Sequence, residues 1–132
     1  MPISTASLLT GPTIAITGGT AQTFAKDGLP VTRGFSVSDT AEADIRTRDS
    51  IVVKNTQGVM QSDGSWSKNR REAKFVSPDL LPDGTQDFPF FRIEYVGSPL
   101  HSSAKIAAMK EKAIQVLADS DFSGFWATGA ME

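Results

Sequence analysis

The sequence has 132 residues, with 13 basic and 15 acidic side chains, a net charge of −2 and no cysteine. A hydrophobic fraction of 39% and a charged fraction of 21% predict one folded domain with only weak whole-molecule attraction to nucleic acid. Disulfide bridges and thiolate metal sites are excluded. No apolar run approaches the roughly 18 residues of a membrane span, and the first residues show no signal-peptide pattern, so we expect a soluble protein made in a cytoplasm.

The first half of the sequence predicts β structure interrupted by turns, because apolar and polar residues alternate in four stretches. The four stretches are residues 13–17, 20–25, 33–38 and 50–56. Gly18-Gly19 predicts a two-residue turn that joins the first two stretches into a hairpin. Residues 39–44 are acidic and weakly patterned, which indicates a loop.

The second half predicts two more strands, at residues 69–78 and 90–96. Residues 58–67 form a long connection at the tip of a hairpin, and Pro78 ends the strand that follows it. The residues between Pro78 and the last strand contain Pro82-Asp83-Gly84, which predicts a turn.

The apolar period changes from two to about 3.6 after Ser102, which predicts a helix that continues to about Asp119. Residues 121–132 leave room for one short further turn of helix. The apolar stripe of the main helix consists of Ile106, Met109, Ala113, Val116 and Leu117. The predicted class is α+β: an N-terminal β-hairpin, an antiparallel meander sheet, and C-terminal helices packed on one face. We expect a single domain of residues 1–132, with hairpin and sheet in 1–100 and helices in 101–132.

Alternation assigns the side chains of the three best strands to two faces. The apolar face, expected to lie under the helix, carries Ile51, Val53, Ala73, Phe75, Phe91, Ile93 and Tyr95. The opposite face carries Ser50, Val52, Lys54, Thr56, Arg70, Glu72, Lys74, Val76, Phe90, Arg92 and Glu94. Cations, hydroxyls and an aromatic ring suit single-stranded RNA, although an antiparallel sheet also commonly exposes one ordinary polar face to water.

Enzymatic and metal chemistry finds no support in the sequence. His101 is the single histidine and has no ligand partners, and Gly18-Gly19 is not followed by a phosphate-loop pattern. Asp39, Glu42 and Asp44 lack the spacing and glycine of a calcium loop. We therefore predict no enzyme activity, no cofactor, no metal site and no small-molecule substrate.

The chain resembles the coat proteins of levivirus-type single-stranded RNA bacteriophages. The similarity lies in residues 69–78, a strand with a basic start and a terminal proline, in residues 90–96, and in the helix at residues 104–118. The connection at 58–67 and the link at Pro82-Asp83-Gly84 depart from the family in length. The resemblance implies interlocked homodimers that assemble into an icosahedral shell, with helices outside and the open sheet face toward the RNA.

Carried over strand by strand, the resemblance implies RNA contacts at nine positions of the polar face. These are Ser50, Val52, Lys54, Thr56, Arg70, Glu72, Lys74, Phe90 and Arg92, with Phe90 where a base can stack. Val52 has no hydrogen-bonding group for base readout.

The sequence therefore predicts a structural coat protein of a virion, synthesised in the cytoplasm of a bacterial host. Its expected partners are a second copy of the chain and the single-stranded genomic RNA, including a possible translational-operator hairpin, and no membrane. The alternative is a dimeric RNA-binding regulator that does not assemble. A small enzyme with an unrecognised site is the more distant rival.

Overall fold

The computed structural model describes residues 5–12 and 16–131, and these divide into two compact units. One unit is Gly19–Leu100, and the other joins Met1–Gly18 to His101–Glu132. The single domain of residues 1–132, with hairpin and sheet in 1–100 and helices in 101–132, stays a prediction. The assignment of the N-terminal segment to the helical unit was not foreseen.

A five-stranded antiparallel sheet forms most of the first unit. In the order in which they lie side by side, its strands are β1 (Phe24–Lys26), β2 (Gly34–Asp39), β3 (Ser50–Thr56), β4 (Asn69–Val76) and β7 (Phe90–Gly97). β3, β4 and β7 agree with the predicted strands to within two residues at either end. The meander was therefore correctly predicted.

The N-terminal hairpin lies elsewhere than predicted. It consists of β1 and β2, with Phe24 opposite Asp39, and among the described residues 16–23 belong to no strand. Residues 13–15 of the predicted hairpin lie outside the described residues. Gly18 and Gly19 have φ of 86° and 74°, but they do not join two described strands. A two-stranded hairpin is marginal alone, whereas β1 gains stability by extending a larger sheet.

The connection between β4 and β7 contains a second, smaller hairpin that the sequence analysis did not predict. Its strands are β5 (Asp79–Leu80) and β6 (Gln86–Asp87). The predicted turn closes it, because the Asp83 carboxylate accepts hydrogen bonds from the backbone and hydroxyl of Thr85 at 3.0 and 2.6 Å. The β3–β4 connection is also an ordered hairpin tip, where Met60 bridges to Trp66.

The helical unit contains α1 (Ser103–Ala118), a 3₁₀ turn (Ser120–Phe122) and α2 (Ser123–Thr128). The Ser102 hydroxyl caps α1 by accepting the Lys105 N–H at 3.2 Å. The Gln115 side chain on α1 binds the N-terminal segment, since it accepts the Leu9 N–H at 2.7 Å and donates to the Leu9 carbonyl at 2.9 Å.

Burial is shallow throughout the single chain. No hydrophobic residue among those described is fully buried, and the apolar face exposes 38% of Phe75, 54% of Phe91 and 55% of Ile93. None of the residues of α1 is buried either. An apolar surface this open is unusual for a monomer and typical of an interaction face.

Candidate nucleic-acid interface

The strand register places all nine predicted RNA-contact residues on one face of the sheet, here called the polar face. Directly opposed residues on neighbouring strands form rows that cross β3, β4 and β7. The four rows are Thr56–Arg70–Val96, Lys54–Glu72–Glu94, Val52–Lys74–Arg92 and Ser50–Val76–Phe90. The face assignment made from alternation therefore agrees with the observed pairing, including for Val52, which contributes only an apolar side chain.

The polar face concentrates positive charge on a chain that is negative as a whole. On β3, β4 and β7, Lys54, Arg70, Lys74 and Arg92 contribute four cations and Glu72 and Glu94 contribute two carboxylates, so this part of the face carries +2 while the chain carries −2. Local rather than total charge determines where a polyanion binds. This arrangement favours phosphate on the sheet.

Arg70 is not an isolated cation. Its Nη1 lies 3.3 Å from Oε1 of Glu94, and the two side chains remain substantially exposed. Exposed ion pairs of this kind contribute only about 0–1 kcal/mol, so a phosphate can compete for the guanidinium. Glu94 belongs to the polar face but was not among the nine predicted contacts.

Phe90, the predicted stacking residue, already interacts with a cation. The Lys74 Nζ lies over the Phe90 ring, 4.1 Å from its centroid. Such contacts are worth roughly 0.5–1 kcal/mol at exposed sites, and they fix both side chains near one another. An aromatic ring and an ammonium group at one corner of the face can contact a base and its phosphate together.

β2 adds two serines to the polar face that the sequence analysis missed. Ser36 lies opposite Val52 and Ser38 lies opposite Ser50, and both hydroxyls donate to the Asp27 carboxylate, at 2.8 and 2.7 Å. The hydrogen bond from Ser38 is the main reason why the pKa of Asp27 is lowered. The alternation of Gly34, Ser36 and Ser38 was the available signal.

Gly34 begins the same strand at a point of close backbone approach. A Cβ on this residue would collide with the backbone of Val53 on β3. Only glycine therefore allows β2 to pair with β3 at this end of the sheet.

No cluster of three or more histidine and acidic side chains able to hold a metal occurs in the described part of the chain. No helix among the described residues is long and apolar enough to cross a membrane.

No protein-family model and no curated protein matches the chain, whereas solved structures do. A chain of the virus-like particle of bacteriophage GQ-907 matches with a TM-score of 0.92 and 34% identity, covering 98% of this chain and 99% of that one.

Two more distant structures share the fold alone. A chain of the virus-like particle of bacteriophage AVE019 has a TM-score of 0.70 at 10% identity, covering 88% of this chain and 92% of that chain. A chain of the virus-like particle of Beihai levi-like virus 21 has a TM-score of 0.60 at 11% identity, covering 86% and 97%. The 34% identity to the coat chain of a phage particle, over nearly the full length of both chains, shows that this chain belongs to the coat proteins of levivirus-type bacteriophages, which form the capsid of the virion.

Proposed function

We propose that this coat protein forms interlocked homodimers, that the dimers assemble into an icosahedral shell, and that the polar face binds single-stranded RNA inside it. Genome packaging is the main role, and recognition of a translational-operator hairpin is the second. The chain acts as one domain of residues 1–132, without enzyme activity or cofactor. It is synthesised in the bacterial cytoplasm before it enters the virion.

The two faces of the sheet differ in chemistry, and this difference is the main support for the proposal. One face exposes Phe75, Phe91 and Ile93, and the other exposes cations and an aromatic ring. The apolar face is suited to packing against protein, because burial of apolar surface is favourable by about 25 cal/mol per Å². The cationic face attracts a polyanion.

The edge of the sheet supports the dimer. β7 is an eight-residue strand at one end of the strand order, so one side of its backbone lies outside the ladder of the five-stranded sheet. A long edge strand readily pairs with the same strand of a second copy. Edge pairing would place two polar faces side by side and double the cationic surface.

The test of assembly uses recombinant protein, size-exclusion chromatography and electron microscopy. The proposal expects megadalton particles, whereas a peak at the 14.1 kDa monomer mass or twice that mass would favour the non-assembling regulator. Met109→Asp places a carboxylate in the apolar stripe of α1 and should abolish particles, because an unpaired buried carboxylate is very costly. Ala108→Asp introduces the same charge outside the apolar stripe and should leave particles intact.

The test of RNA contact is the double variant Lys74→Ala/Arg92→Ala. Two lost phosphate contacts should reduce the slope of log affinity against log salt by about 1.4, since each contact to single-stranded RNA contributes about 0.7. Lys105→Ala/Lys112→Ala removes the same charge from α1 and is the matched control. Equal salt slopes in both variants would contradict binding on the polar face.

A further inference from the structure

Like charges face each other in two successive rows of the polar face. Glu72 of β4 lies directly opposite Glu94 of β7, and Lys74 lies directly opposite Arg92. Like charges at opposed positions destabilise a sheet, and an exchange of Glu94 with Arg92 would give two favourable pairs instead. The observed order therefore separates a row of carboxylates from a row of cations, an arrangement that a functional site can use.

The spacing of the two rows suits a nucleotide. Residues two apart on a strand lie about 6.8 Å from each other on one face, and opposed side chains start about 4.5–5.5 Å apart. A phosphate that binds the cation row, Lys74 and Arg92, can therefore place its base near the carboxylate row, Glu72 and Glu94.

The carboxylate row selects among bases by its chemistry. Ionised carboxylates only accept hydrogen bonds, so they repel phosphate and bind groups that donate. The amino groups of cytosine, adenine and guanine donate, and carboxylates are known partners of the cytosine amino group. Uracil presents two carbonyl oxygens beside its single N–H, and the carboxylates repel these oxygens because both groups only accept hydrogen bonds.

Cations beside the carboxylate row orient it. The Arg70 guanidinium binds Glu94 at 3.3 Å, and Lys54 of β3 lies opposite Glu72. Each carboxylate thus has one positive neighbour, Lys54 of β3 for Glu72 and Arg70 of β4 for Glu94, while the two carboxylates lie opposite each other on β4 and β7. An amino group placed between the two carboxylates can donate one N–H to each.

We propose that Glu72 and Glu94 form a base-reading subsite for an unpaired base with an amino group, whose phosphate lies on Lys74 and Arg92, and that the subsite rejects uracil. This inference rests on the proposed binding of RNA to the polar face and deepens it. Glu94 then has a second role. It binds Arg70 in the RNA-free protein, and the Arg70 guanidinium becomes available to phosphate when a base with an amino group binds Glu94.

Fluorescence anisotropy of labelled short oligocytidine, oligoadenosine and oligouridine RNAs tests the subsite on dimers held below the assembly concentration. The unaltered protein should bind the cytidine and adenosine oligomers at least about fivefold more tightly than the uridine oligomer. In Glu72→Gln/Glu94→Gln this ratio should fall toward one, mainly because binding of the uridine oligomer strengthens. Glu111→Gln removes one carboxylate from α1, which is not part of the sheet, and as a control it should leave the ratio unchanged.

The outcomes separate the subsite from the function on which it rests. No salt-dependent binding of any oligomer to the unaltered protein would contradict RNA binding on the polar face. RNA binding without base preference, or the same preference in the double glutamine variant, would overturn the subsite alone. A variant that binds every oligomer more tightly in equal proportion would show that the carboxylates act only through general repulsion.

Discussion

Ile93→Ala tests whether the apolar face of the sheet is covered when two chains associate. Complete burial makes an Ile→Ala change cost about 2–5 kcal/mol. Ile93 is 55% exposed in the single chain, so about half of its burial energy, roughly 1–2.5 kcal/mol, would be gained only when two chains associate. A symmetric dimer contains two copies, and the loss is then about 2–5 kcal/mol, which weakens dimerisation at least about 30-fold.

Sedimentation equilibrium of protein released from particles measures this dissociation constant. Ile45→Ala makes the same chemical change at a residue that is 75% exposed in the loop before β3, and it serves as the matched control. We expect weaker dimers in Ile93→Ala and unchanged dimers in the control. Equal dissociation constants for the two variants would refute the reasoning that the sheet face is the one covered.

Three further predictions concern the sheet and its loops. Gly34→Val should prevent soluble expression or lower the melting temperature strongly, because its side chain would enter the backbone of β3. Asp27→Asn should make the free energy of unfolding less dependent on pH. The pKa of Asp27 is lowered in the folded state, so the ionised carboxylate stabilises the fold at neutral pH, and this stabilisation is lost as the pH falls below about 4. Urea unfolding between pH 3 and 6 would show the difference. Shortening residues 61–65 should leave the circular dichroism of the dimer unchanged and reduce the thermal stability of particles, and unchanged particles would show that this hairpin tip makes no contact between dimers.

Long elements with a clear period could be predicted from the sequence. β3 has consecutive β-branched residues, and α1 has both a capping serine and an apolar stripe, so local chemistry and tertiary structure agree there. The N-terminal hairpin was misplaced because Gly18-Gly19 is a strong local turn signal, whereas the pairing of β1 with β2 depends on contacts along the edge of a larger sheet. The β5–β6 hairpin was missed because each of its strands has only two residues, too few for a period to be visible.

Alternation alone was sufficient to identify the polar face, since a period of two fixes which side chains share a side. Alternation could not show which charged side chains lie opposite each other on neighbouring strands. Whether Glu72 meets Glu94 or Arg92 depends on register, and a shift of two residues preserves the face while exchanging the partners. Similarly, the contacts of Lys74 with Phe90 and of Asp27 with Ser38 require coordinates, because their partners are distant in sequence.

Cryo-electron microscopy of particles purified with their RNA tests whether the polar face binds RNA inside the shell. We predict a closed shell in which RNA density lies against β3, β4 and β7 on the side of Lys74 and Arg92, while protein covers Phe91 and Ile93 on the other side. RNA density against the apolar face, or a shell whose polar faces point outward, would contradict it.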